Sequence, residues 1–193
     1  MKASRFPMKS APGSTTKPWR SSWNSTVSAT NVMQSLSHLL QRLADSGVDF
    51  VIIGGFAGVL HGSALVTRDL DICAVLTPAN LERLRDALKD LNPRHRMTPQ
   101  ALSFLQVPKA GEGVNNLYLR TDWGVVDVLS SVLGLGDFER LKVHAETITI
   151  GGKACRLIGL EDLILAKEAM GREKDLLAAK ELRAVAEKRA RRG

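Results

Sequence analysis

Aromatic residues make up only 5% of this 193-residue chain, and a single tyrosine is present. That scarcity excludes an extended base-stacking platform. The two cysteines, Cys73 and Cys155, stand far apart with no metal-ligand spacing. Neither a disulfide framework nor a thiolate metal site is expected, and two buried thiols in a reducing, cytoplasmic compartment are. No apolar run reaches the ~20 residues of a membrane span, so no membrane partner is expected. No Gly-x-x-x-x-Gly-Lys-Ser/Thr loop occurs, which removes the Walker route to a nucleotide. Acidic residues are missing from residues 1–31, which carry Lys2, Arg5, Lys9, Lys17 and Arg20. That stretch is rich in Ser, Thr and Pro and is expected to be a disordered basic tail. It lacks the continuous apolar segment of a secretory signal.

The net charge of +7 belongs to the ends. Residues 183–193 hold five basic residues against Glu187 alone, and with the N-terminal stretch they exceed the total. The body from 32 to 182 is therefore slightly acidic. Basic tails attract nucleic acid or acidic surfaces without sequence selectivity.

What is present is a pattern of carboxylates and glycines. Asp69 and Asp71 lie one residue apart in Arg68-Asp69-Leu70-Asp71-Ile72. Alternation along a strand sends both to one face, while Leu70 and Ile72 enter a core. Two such carboxylates repel unless a cation lies between them. Hard oxygen donors suit Mg²⁺ or Mn²⁺. Upstream, Gly54-Gly55 ends an apolar strand and would let a phosphate approach backbone N–H groups. A third acid, Asp127, sits alone in Val125-Val126-Asp127-Val128-Leu129. A lone carboxylate in an apolar strand needs a partner or a metal. Beside Asp69 and Asp71 it would complete a cluster able to hold two metal ions and to accept a hydroxyl proton.

Periodicity predicts the frame. An amphipathic helix is expected over residues 32–46, capped by Asn31 and carrying Leu36, Leu39, Leu40 and Leu43. Strands are expected at 48–53 and 69–76, with a short helix at 56–60 between them that ends at His61-Gly62. Thr77-Pro78 opens a helix to Leu91. Residues 92–99 read as an irregular basic stretch in which Arg94, His95 and Arg96 form a solvated patch or meet a nucleic-acid backbone. Short strands follow near 103–107, 116–120 and 124–130, then a hairpin over 146–150 and 153–158. From Leu160 the chain reads as helical, broken at Gly171. The expected class is α+β, a mixed sheet flanked by helices with a helical C-terminal part. The division is a tail at 1–31, a core at 32–158 and a helical segment at 159–193.

Gly54-Gly55, thirteen residues, then Asp69-Leu70-Asp71-Ile72, with a later apolar strand around Asp127, resembles the DNA polymerase β-type nucleotidyltransferase superfamily. His61-Gly62, Thr67-Arg68, Leu160-Glu161-Asp162-Leu163-Ile164 with Lys167, and Gly171-Arg172 with Lys174-Asp175 narrow this. Together they look like the AbiEii-type branch, which includes toxins of toxin–antitoxin systems. The resemblance covers about residues 32–182. It implies a nucleotidyltransferase-type sheet and transfer of a nucleoside monophosphate from an NTP to a hydroxyl. Acceptors it allows are RNA, including a tRNA 3′ end, a protein, or a small molecule; an antitoxin protein is an implied partner. Asp69, Asp71 and Asp127 would be catalytic and would hold two Mg²⁺ or Mn²⁺ ions. Gly54 and Gly55 would cradle the triphosphate, and Lys167, Arg172 and Lys174 would neutralise it. The sequence departs from that branch at Leu65, where Arg is frequent, at Ala178, where an acid is frequent, and at Gly55, where the superfamily often has Ser.

Three plainer readings stand beside this. Lys167 alone reads as a solvated helix lysine, and Arg172, Lys174 and Asp175 read as a capped helix start with weak surface pairs. His61 reads as a structural residue at a helix end, with general-base catalysis as the alternative. Trp123 either packs on the sheet or stacks on a base. For the chain as a whole, the alternative to an enzyme is a nucleotide- or partner-binding module without turnover. A weaker third reading is a protein that binds nucleic acid through its tails.

Overall fold

The computed structural model describes residues 29–109 and 112–191. The expected tail up to residue 28 lies outside the described residues. The first helix, α1, runs Ala29–Asp45, so it takes in the last residues assigned to the tail. Its leucine stripe, Leu36, Leu39, Leu40 and Leu43, is fully buried. Strand β1 is Phe50–Ile53, helix α2 is Gly54–His61, and strand β2 is Asp69–Ala74. Helix α3 is Pro78–Leu88, followed by one 3₁₀ turn to Leu91. Thr77 caps α3 by accepting from the Asn80 N–H, and Pro78 fills the first turn, where no N–H is needed.

The remaining strands are β3 (Arg94–His95), β4 (Asn116–Thr121), β5 (Gly124–Leu129), a small hairpin of β6 (Ser131–Val132) and β7 (Gly136–Asp137), β8 (Glu146–Ile150) and β9 (Lys153–Leu157). Three helices complete the chain: α4 (Phe138–His144), α5 (Leu160–Met170) and α6 (Glu173–Ala190). Seven strands form one mixed sheet in the order β3-β4-β5-β2-β1-β9-β8. Strand β2 runs antiparallel to β1 and parallel to β5. Alternate residues Leu70, Ile72, Val126 and Val128 are buried in one cluster with the α1 leucines. The opposite face of β2 and β5 is then left to Asp69, Asp71 and Asp127. The architecture is mixed α and β with a helical C-terminal part, as expected.

One expected strand does not form, one unexpected helix does, and Asn31 lies inside α1 rather than capping it. No strand forms over 103–107; Ser103 makes only an isolated bridge to Arg94. Phe104 goes alone into the core between His95 and the Arg85 guanidinium, and the N–H groups of Gln106 and Val107 both turn back to the Ser103 carbonyl. A side chain anchored singly in this way needs no ladder. Helix α4, not foreseen, is short, yet it carries its own signal. Asp137 accepts from the Arg140 N–H as an N-cap, and Phe138 and Leu141, three apart, are buried.

Candidate functional site

Parallel pairing of β2 with β5 puts Asp71 directly opposite Asp127 and Asp69 opposite Val125. The three carboxylates therefore share one face of two neighbouring strands. Asp69 is exposed, Asp71 is half-buried and Asp127 is buried. Burial is the main cause that pushes the Asp71 carboxyl from its usual 3.8 up to about 6, and the charges of Asp127 and Asp69 push the same way. The Gly55 N–H and Lys167 pull it back in part. Burial also raises Asp127, with a smaller push from Asp69, while hydrogen bonding and charge from Arg96 oppose the rise.

Gly54 and Gly55 are not a loop ahead of the helix but the first residues of α2. Gly54 has φ +67°, and a β-carbon there would lie 2.0 Å from Asp71 Oδ2. One at Gly55 would lie 2.7 Å from Thr67 Oγ1. The space these glycines leave is thus used by Asp71 and Thr67, and Gly54 must be glycine for both backbone and room. Gly54→Ala is expected to lower stability by about 2 kcal/mol or more, read as a lower urea midpoint.

A second charged group faces the triad from the C-terminal helices. Lys167 Nζ lies 3.1 Å from Asp175 Oδ1, and Arg172 Nε lies 2.5 Å from Asp175 Oδ2. Asp175 is only 2% exposed. Burial alone would raise its pKa; the hydrogen bonds and charges of Arg172 and Lys167 outweigh that and hold it below the usual carboxylate range. Two plain readings are corrected here. Lys167 is not a solvated helix lysine, since its side chain is 20% exposed and paired. The Asp175 pairs are not weak surface contacts, because their acceptor is out of water. Lys174 is exposed and, among the described residues, forms no ion pair.

Asp69, Asp71, Asp127, Gly54, Gly55, Lys167, Arg172 and Lys174 all line one cleft of about 530 Å³. The site residues expected from the sequence are brought together without exception. Leu65 and Ala178, the two departures at which a frequent charged residue is replaced, line the same cleft. An apolar recess of about 150 Å³, walled by Leu129, Val132, Leu133 and Met170, opens beside Asp71 and Lys167.

Arg96 was missed. Its Nε donates to Asp127 Oδ1 at 3.2 Å and its Nη2 to Asp127 Oδ2, a bidentate pair. Its guanidinium also lies 5.4 Å from the Tyr118 ring, and Tyr118 is the cross-strand neighbour of Asp127. The available signal was the spacing of Arg94 and Arg96, which share a face only if residue 94 starts a strand. Among the described residues, no group of three or more His, Cys, Asp or Glu side chains stands ready to hold a metal ion. The donor chemistry nonetheless fits a hard divalent cation: all-oxygen ligands, with Asp71 held up to about 6 partly by the two neighbouring carboxylates whose repulsion a cation would relieve.

His61 and Trp123 stand apart from the cleft. His61 is buried at the end of α2, with Nε2 2.7 Å from the Ile158 carbonyl oxygen. Trp123 packs near His38 and lies under the Arg42 guanidinium, both from α1. No protein-family model matches the chain, and no curated protein matches it.

Proposed function

We propose that this protein is a nucleotidyltransferase of the DNA polymerase β-type architecture, transferring a nucleoside monophosphate from an NTP to an acceptor hydroxyl. One observation carries the reading. Three carboxylates, two of them directly opposed on parallel strands, share a cleft with a glycine pair and four basic side chains, of which Arg96 pairs with Asp127 and Lys167, Arg172 and Lys174 come from the C-terminal helical part. Acids on one wall and cations on the other match the two ends of a metal–triphosphate complex.

In the reaction, the acceptor oxygen bonds to the α-phosphorus. The bridge between the α-phosphorus and the β-phosphate oxygen breaks, and pyrophosphate leaves with that electron pair. The hydroxyl proton passes to a carboxylate of the cleft and then to water. Mg²⁺ or Mn²⁺ bound by Asp69, Asp71 and Asp127 would supply positive charge at the reacting phosphate and at the attacking oxygen. Lys167, Arg172 and Lys174 neutralise the β- and γ-phosphates, and the apolar recess beside Asp71 takes the base. Lys167 is oriented for this by its pair with the buried Asp175.

A binding module without turnover is favoured by one observation, the Arg96 pair that already neutralises Asp127. The two readings separate in one assay. Purified protein is incubated with each α-labelled NTP, Mg²⁺ or Mn²⁺, and pools of RNA, protein or small metabolites. The enzyme reading expects a labelled acceptor and equimolar pyrophosphate, with EDTA abolishing both. NTP binding without pyrophosphate release from any pool would establish the binding module instead. Failure of both binding and transfer would sink both readings.

A further inference from the structure

The sheet face that carries the triad continues beyond it toward the β3 edge. Cross-strand register sets Tyr118 beside Asp127, Arg120 beside Val125, and Arg94 beside Arg120. Residues two apart on a strand share a face. Arg94 and Arg120 therefore lie on the face of Asp69, Asp71 and Asp127, as does Arg96 just past β3, whose N–H donates to the Tyr118 carbonyl and whose side chain pairs with Asp127; Arg94 and Arg120 are exposed. The charge of Arg96 is already matched by Asp127. The other two are not matched. Like charges directly opposite on an antiparallel pair repel. Among the described residues neither Arg94 nor Arg120 forms an ion pair; Arg94 donates only to Asn92 Oδ1 and the Ala101 carbonyl. Asp122 lines the 230 Å³ hollow at this arginine pair without pairing with either. Two arginines at paired positions thus line one exposed hollow, and among the described residues no carboxylate forms an ion pair with either, an arrangement that suits an anion from outside.

The position says which anion. Strands are spaced about 4.8 Å apart, so Arg120 stands about 10 Å and Arg94 about 14 Å across the sheet from Asp69. An isolated phosphate bound there would have no link to the chemistry. A chain of phosphates ending in a hydroxyl at the triad would pass over both guanidiniums, whose flat forks match phosphate oxygens. We propose that Arg94 and Arg120 hold the phosphate backbone of a single-stranded nucleic acid whose 3′-hydroxyl is the acceptor. This rests on the nucleotidyl-transfer reading, with the 3′ oxygen forming the bond to the α-phosphorus and pyrophosphate leaving as above.

The test uses the full chain and the double variant Arg94→Gln/Arg120→Gln. Binding of a fluorescein-labelled single-stranded 12-mer, as RNA and as DNA, is followed by anisotropy over a salt series. NTP binding with Mg²⁺ is measured on the same samples. Each lost phosphate contact on a single strand should flatten the salt dependence by about 0.7 in log–log slope. The double variant is expected to lose about 1.4 of slope and at least about tenfold in affinity, with NTP binding unchanged. Removing the repulsion should leave its thermal midpoint equal to or above that of the wild type, whereas a structural role for the arginines would lower it. Equal loss on RNA and DNA assigns the contact to phosphate; loss on RNA alone adds the 2′-hydroxyl.

An unchanged slope in the double variant overturns the proposal, since the basic tails would then carry the binding. So does label that passes from NTP only to protein. A wild type that binds the strand through these arginines yet neither binds NTP nor releases pyrophosphate overturns the transfer reading, and the acceptor role with it.

Discussion

Exchanging Asp71 for Asn is expected to cripple nucleotidyl transfer and to stabilise the metal-free protein at the same time. The loss of transfer should reach roughly 10²–10³-fold, the scale on which removing a group that organises transition-state charge is felt. The gain in stability follows from the same placement that makes the residue useful. The Asp71 carboxyl is pushed from 3.8 up to about 6, first by burial and then by Asp127 and Asp69. Between those two pH values the folded state holds a proton that the unfolded chain has released, so stability falls as pH rises through the window. Above it the full penalty remains, at most about 3 kcal/mol at about 1.36 kcal/mol per pH unit. Asparagine carries no charge and still offers an oxygen to the Gly55 N–H. In EDTA at pH 7.5 the variant should melt several degrees above the wild type, at roughly 2–4 °C per kcal/mol for a chain of this size. The gap should close by about pH 4. Mg²⁺ should raise the wild-type midpoint and leave the variant nearly unmoved. A variant that is less stable than the wild type in EDTA at pH 7.5, or that transfers label at the wild-type rate, would show that Asp71 is not the strained carboxylate of this cleft.

The part of this site that the sequence reveals is the part written by alternation and spacing. Asp69 and Asp71 point together because a strand has period two, and the flanking Leu70 and Ile72 show which face is core. Asp127 stands out because a charge in Val-Val-Asp-Val-Leu requires a reason. That it lies opposite Asp71 rather than a strand away depends on β5 running parallel beside β2, which pairing sets and local pattern does not. Gly54 was legible as a close-approach glycine, but the group that approaches was not: the Asp71 carboxylate occupies the space first. Arg96 was hidden for a different reason. The two-residue strand β3 exists only because Arg94 and His95 pair with Arg120 and Leu119. Without that contact Arg96 has no face to share with Asp127. Asp175 reads as a surface acid because it follows Arg172, Glu173 and Lys174 at a helix start, and its burial comes from α5 folding back against α6.

Asp175→Ala is expected to be strongly destabilising, at about 3 kcal/mol. Removing one partner of a buried ionic group typically costs 3–5 kcal/mol, because the other is left uncompensated. Here the lower end applies, since the Lys167 side chain is 20% exposed and that of Arg172 is 54%, so both regain some water. The pH dependence has the opposite sign to that of Asp71. Asp175 is held below the usual range, so its stabilisation is present above the unfolded value near 3.8 and is lost as pH falls through the lower folded value. The variant should therefore lose the acid limb of the wild-type stability profile and keep the decline toward pH 6 that Asp71 produces. Lys167→Met in the same background tests the cause. If the cost is mainly an orphaned ammonium, the double variant should be less destabilised than the sum of the two single changes, by 1 kcal/mol or more in a denaturant cycle. Strict additivity would mean that Asp175 stabilises the α5–α6 junction through Arg172 or through packing, and that Lys167 is free to serve the cleft without it. Coupling would tie the orientation of Lys167 to Asp175, and the nucleotide KM should then rise in Asp175→Ala while the fully folded fraction, measured in parallel, stays high enough to exclude simple unfolding.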